Sequence, residues 1–184
     1  MSIAAPAPVA VEVTCDAPGW DEAPSEGDSW EALATRAVRS AAARWCARDA
    51  AMAVVALPVG AEVSVLLADD AAVAGLNARW RGRDGPTNVL SFAANEGGGP
   101  PSALLGDIVV AHGVALREAR GQDKTLADHV AHLIVHGTLH LLGEDHDRDA
   151  RADEMEDLER AALADLDIAD PYDGTEPVDT GDPR

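Results

Sequence analysis

The string His136-Gly-Thr-Leu-His140-Leu-Leu-Gly143-Glu-Asp-His146 constrains this chain more than any other stretch. In an α-helix, residues four apart share one face, with Cβ atoms about 6 Å apart. His136 and His140 therefore project side by side if the segment is helical. Gly143 can take the left-handed backbone that ends a helix, and His146 then lies beyond the turn, able to swing back to the pair. Three neutral imidazole nitrogens plus one water make an open tetrahedral zinc site, the catalytic pattern rather than the closed structural one. Water on such a zinc loses a proton near neutrality and becomes a nucleophile. The expectation is one Zn2+ per chain on His136, His140 and His146. A lone histidine is usually an ordinary core or surface residue; the helical pair with a third member past a glycine turn is what sets this string apart. His132, one turn earlier on the same face, reads as a packed neighbour, and His129 and His112 as structural or exposed.

The spacing equals that of the metzincin proteases, but the residue after the first histidine differs. In those enzymes it is the glutamate that serves as general base. Here it is Gly137, which has no side chain. Peptide hydrolysis by that route would need Glu144 or Asp145 as a substitute.

Around the motif the pattern alternates between strands and helices. Val9–Cys15 and Glu62–Leu67 read as strands, as do Asn88–Ala93 and Asp107–Ala111. Ser29 caps a helix to about Arg48, and Asp69 or Asp70 caps another to about Trp80. RGRDGPT follows as a loop. His112–Arg120 reads as a helix. Thr125 with Asp128 resembles a capping box opening the helix that ends at Gly143. Residues 148–165 form a last, charged helix, and Met52–Leu57 stays unassigned. The expected fold is α+β, a single domain with an about four-stranded mixed sheet and about five helices, its zinc site at the end of a central helix.

Charge sets the boundaries. Of the net −19, twelve charges lie in residues 1–28 and 165–184. The expected layout is an N-terminal strand plus acidic loop (1–28), a core (29–166), and a disordered acidic tail (167–184). So acidic a chain is no general nucleic-acid binder, although Arg79, Arg81 and Arg83 could line a local basic groove. No apolar run reaches the roughly 18 residues a membrane span needs, and the N-terminus lacks a secretory pattern. Two cysteines suggest neither a disulfide framework nor a thiolate metal site. A cytoplasmic location is expected, with no membrane partner.

The string HGTLHLLGEDH resembles the signature H-G-x-L-H-L-x-G-x-D-H of the YbeY endoribonucleases, the rRNA maturation factors. RGRDGPTNVLSF and LLGDIVVA resemble two further blocks of that family, so the resemblance spans about residues 60 to 160. Three positions depart from it: Ala93 replaces a frequent proline, Trp80 a tyrosine, and Glu144 a tyrosine. The last adds negative charge beside the site.

The resemblance implies a single-strand-specific, zinc-dependent endoribonuclease acting in small-subunit (16S) rRNA 3′-end maturation and ribosome quality control. Its implied partners are single-stranded rRNA and the small ribosomal subunit; no DNA is expected. The family's important arginine falls on Arg81. That arginine could grip a phosphate through two nitrogens and stabilise charge in the transition state, which makes Arg81 and His136 the catalytic candidates. Thr87, Asn88 and Ser91 could bond phosphate or base. Asp145, beside a ligand, could orient an imidazole. Asp107 reads as a brace for the loop or an arginine. Two rival readings are a metzincin-like metalloprotease and a ribosome assembly factor whose metal is structural.

Overall fold

Alternating valine-rich runs and capped helical segments form the elements that the pattern predicts. The computed structural model describes residues 9–48, 57–95, 101–144 and 149–172. Their order is β1 (Ala10–Cys15), α1 (Trp30–Ala47), β2 (Glu62–Ala68), α2 (Asp70–Arg81), β3 (Val89–Ala93), β4 (Leu104–Ala111), α3 (His112–Gly121), α4 (Leu126–Leu141) and α5 (Asp149–Ala164). The sheet order is β1-β2-β4-β3, with β1, β2 and β4 parallel and β3 antiparallel at the edge. The fold is thus α+β, a single domain on a four-stranded mixed sheet. No described helix is long and apolar enough to cross a membrane.

Side chains alternate across the sheet with period two. Val63, Val65, Leu67, Ile108 and Val110 face α1 and α4 and form the main core. Leu66, Leu90 and Val109 face the other way, onto Val73 of α2 and Val114 of α3. α4 lies over β3 and β4, flanked by α1, α3 and α5. The helix starts are set by capping oxygens: Ser29, Asp69 and Thr125 accept from the backbone N–H groups of Ala32, Ala72 and Asp128.

Four readings change. The acidic loop after β1 holds a 3-10 turn at Pro18–Trp20, because Trp20 is buried, its indole N–H donating to the Ala68 carbonyl at 3.1 Å. β4 begins at Leu104, not Asp107. Arg81 is the last residue of α2, not part of the loop. The acidic tail does not begin at Asp167: the chain folds back there, and Tyr172 packs against His132 at 5.9 Å between ring centroids. The half-buried phenol ring, bonded to Glu159, anchors that segment despite its acidic composition. Asp145, His146, most of Met52–Leu57 and residues 173–184 lie outside the described residues.

Candidate metal centre

α4 buries Val130, Ile134, Val135, Leu139 and Leu141 in the core and carries a file of histidines along its remaining face. His129, His132, His136 and His140 recur every three or four residues. At the C-terminal end of the file, Nε2 of His136 and Nε2 of His140 stand 3.0 Å apart, the ring planes crossing at 88°. Two nitrogens on one tetrahedral zinc stand about 3.3 Å apart.

The other ring nitrogens fix the tautomers. His136 donates from Nδ1 to Glu159 Oε1 at 2.7 Å, and His140 donates from Nδ1 to the Glu144 carbonyl at 2.9 Å. A neutral imidazole has one N–H. With Nδ1 of each ring bonded outward, the two Nε2 atoms are turned towards each other at the same point. This donor set fits a divalent metal, and the outward N–H bonds are those that orient metal-binding histidines.

The turn after α4 sets the orientation of the His140 ring. Gly143, at φ 90°, donates to the His140 carbonyl, and Glu144 N–H donates to the Leu139 carbonyl, each at 3.0 Å. These two bonds close the helix and deliver the Glu144 carbonyl to His140. His146 and Asp145 follow immediately, outside the described residues. Among the described residues no group of three ligating side chains forms.

Sequence reasoning missed Glu159. Its carboxylate, on α5, is 1% exposed and accepts from His136 Nδ1, from His132 Nε2 at 3.1 Å and from the Tyr172 hydroxyl. Burial pushes this carboxyl upward, but the hydrogen bonds from His132 and His136 outweigh it and hold the group ionised, far below the usual carboxylate range. Burial and the Glu159 charge push the Tyr172 phenol well above its usual range, so it stays a neutral donor. The signal was present in α5: Met155, Glu159, Ala162 and Leu163 form its buried stripe, and an acid on such a stripe needs a partner. His132 is the packed neighbour expected. Among the described residues its buried Nδ1 meets no hydrogen-bond partner.

His129 serves folding. Its Nε2 lies 2.8 Å from Glu118 Oε2, and burial, outweighing the attraction of Glu118, lowers its pKa from 6.5. Above pH 6.5 the ring is neutral in both folded and unfolded chains; below it, the unfolded chain takes up the proton first and stability falls. Denaturant midpoints should therefore drop between pH 7 and pH 5, and His129→Gln should flatten that slope. An equal slope in the variant would remove His129 from the account.

Gly137 explains why the protease base is missing. A Cβ there would lie 2.9 Å from Ser91 Oγ and 3.2 Å from Ile108 Cγ2. The position faces the sheet, so even a glutamate could not reach the histidines from it. Glu144 is no substitute, and it does not charge the site as expected. Its carboxylate turns to α1, accepting from Trp45 Nε1 and pairing with Arg48, each at 2.9 Å.

The remaining candidates divide into two groups. Arg81 is exposed, and its guanidinium donates to the Ser91 carbonyl at 3.3 Å. Ser91 in turn packs its hydroxyl side against Gly137, so Arg81, the β3 edge and the His136–His140 segment are neighbours. Asn88 instead accepts from Val89 N–H at 2.7 Å and donates to Glu118 at 3.0 Å, while Thr87 donates to Asn88 at 3.4 Å. These two pin the start of β3 to α3. Asp107 braces neither the loop nor an arginine among the described residues; strand alternation places it on the face opposite Ile108, towards α2.

Comparison with known proteins agrees with the motif. The profile of the family described as Endoribonuclease YbeY matches residues 26–167. An endoribonuclease YbeY of Beijerinckia indica is 47% identical over 174 residues, 93% of this chain and 80% of that protein. One of Paramagnetospirillum magneticum is 48% identical over 172 residues, 89% of this chain and 94% of that protein. A solution structure of a Thermotoga maritima protein covers 91% of this chain and 98% of its own, with TM-score 0.48 and 18% identity. With the family profile spanning most of the chain and relatives near half-identical along it, this protein belongs to the endoribonuclease YbeY family.

Proposed function

We propose that this chain is a zinc-dependent, single-strand-specific endoribonuclease that matures the 3′ end of 16S rRNA and acts in ribosome quality control in the cytoplasm. The observation that carries the reading is the convergence of the His136 and His140 Nε2 atoms at 3.0 Å, in a chain of this family. His136 and His140 would hold the ion, with His146 as the third ligand, and Asp145 would orient a ligand. When bound, zinc supplies Lewis acidity for phosphodiester hydrolysis. Glu159 holds the His136 ring, and the Glu144 carbonyl holds that of His140. Arg81 lies exposed at the β3 edge, where it can bond a phosphate through two nitrogens and oppose the charge that builds during cleavage.

The test is cleavage of single-stranded RNA and of small-subunit particles carrying unprocessed 16S rRNA, by protein free of contaminating nuclease. Wild type should cut unpaired segments and spare duplex, a chelator should stop it, and His136→Ala should be inactive with its fold intact. Equal activity in His136→Ala, or in the chelated protein, would sink the reading. Assembly of small subunits rescued by the inactive variant would favour an assembly factor with a structural metal.

A further inference from the structure

Among the described residues the sheet carries an open patch on the face opposite α4. Parallel strands are normally covered on both faces and apolar on both. Here the face opposite α4 carries a transverse row in register, Glu12–Ser64–Asp107–Phe92, one residue from each strand. α2 overhangs this row with Leu76 and Trp80, leaving a groove of about 570 Å³. Trp80 is 62% exposed, whereas the other three tryptophans are buried. It meets Phe92 edge to face at 6.3 Å between ring centroids, and Arg79 lies 5.1 Å over its ring.

Charge is sorted across the groove. Arg79 lies over Trp80 at its rim, Arg81 bonds the β3 backbone at Ser91, and Arg83 follows two residues on, all three exposed. Glu12 and Asp107 sit on its floor, and neither has an ion-pair partner among the described residues. Such a groove repels a phosphate from its floor and attracts it to its rim. It offers an aromatic face for stacking, and carboxylates that accept from amino groups.

We propose that this groove binds an unpaired nucleobase bearing an exocyclic amine, stacked on Trp80, with its phosphates on the arginine rim. The inference rests on the ribonuclease reading and deepens it. Because successive β3 residues face opposite ways, Phe92 looks into the groove while Ser91 faces α4. β3 is the edge strand, and Arg81 reaches its backbone at Ser91. An RNA strand crossing that edge leaves a base against Trp80, passes Arg81, and arrives at His136 and His140. Carboxylates pair with the amino group of cytosine, which uracil lacks.

The test is fluorescence anisotropy of dye-labelled 2′-O-methyl hexacytidylate and hexauridylate titrated with the metal-loaded chain, with quenching of the exposed Trp80 as a second readout in wild type. Trp80 dominates the exposed signal, so the cytidine oligomer should quench it and bind more tightly than the uridine one. Stacking contributes about 1–3 kcal/mol per base, so Trp80→Ala should weaken binding by about tenfold or more, with Trp80→Phe largely retaining it. Asp107→Asn should narrow the preference for cytidine. If Trp80→Ala binds both oligomers like wild type while wild type still cleaves RNA, the base site is refuted and the ribonuclease reading stands. If wild type cleaves no RNA yet the Trp80 and Asp107 effects appear, the groove stands and the ribonuclease reading falls. Variants that bind RNA normally but lose affinity for a purified ribosomal protein would overturn the proposal in favour of a protein-docking groove.

Discussion

His140→Ala is expected to lose its zinc. Wild type should hold about one zinc per chain by elemental analysis after gel filtration, by the ligand count of a three-histidine site. The variant lacks one of the two converging nitrogens, and nothing among the described residues replaces it: His132 Nε2 already donates to Glu159. The same measurement grades the supporting groups. Glu159→Gln keeps the size of the side chain but weakens its grip on the His136 ring, and losses of about 10- to 100-fold in metal affinity are usual for such partners. Thermal unfolding gives an independent readout. A ligand at a thousand times its dissociation constant stabilises by about 4 kcal/mol, so a chelator should lower the melting temperature of wild type and leave that of His140→Ala unmoved. Full zinc occupancy in His140→Ala would refute the assignment. Loss of zinc in His146→Ala would assign the third ligand to the stretch 145–148.

The extent to which the sequence announced this site follows from the range of each interaction. The histidine pair and the glycine turn are local: helical spacing and one positive-φ residue determine them, so the stretch 136–143 was readable unaided. The order of strands and helices was equally legible because capping residues and period-two runs lie within a few positions of what they control. Glu159 was not, since its partners are 23 and 27 residues away and only the packing of α5 on α4 brings them together. Tyr172 was hidden for a different reason: one aromatic ring ordered a segment whose composition pointed to disorder. Glu144 was misread because its charge was counted at the site, whereas Trp45 and Arg48, nearly a hundred residues earlier, draw it to α1. Gly137 was noticed for the side chain it lacks, and the sheet packed beneath it supplies the reason.

Arg81→Ala is expected to keep its fold and its zinc and to lose most RNA cleavage. Arg81 ends α2, is exposed, and makes one described hydrogen bond, to the Ser91 carbonyl at 3.3 Å. Exposed positions of this kind shift stability by about 0.5 kcal/mol or less, so the melting temperature should barely move. Removing a donor aimed at charge developing in a transition state typically lowers kcat by about 10²–10³, and a fall of that order is expected here with KM changed far less. Arg81→Lys separates charge from shape. A lysine keeps the positive charge but cannot present two parallel N–H groups to one phosphate, so it should recover only part of the rate. Full recovery by lysine would reduce the role of Arg81 to general attraction of RNA. If Arg81→Ala raises KM at unchanged kcat, the residue positions substrate at the β3 edge without acting on the transition state. If neither constant changes, Arg81 has no part in the reaction, and the arginine rim must then be tested at Arg79 and Arg83.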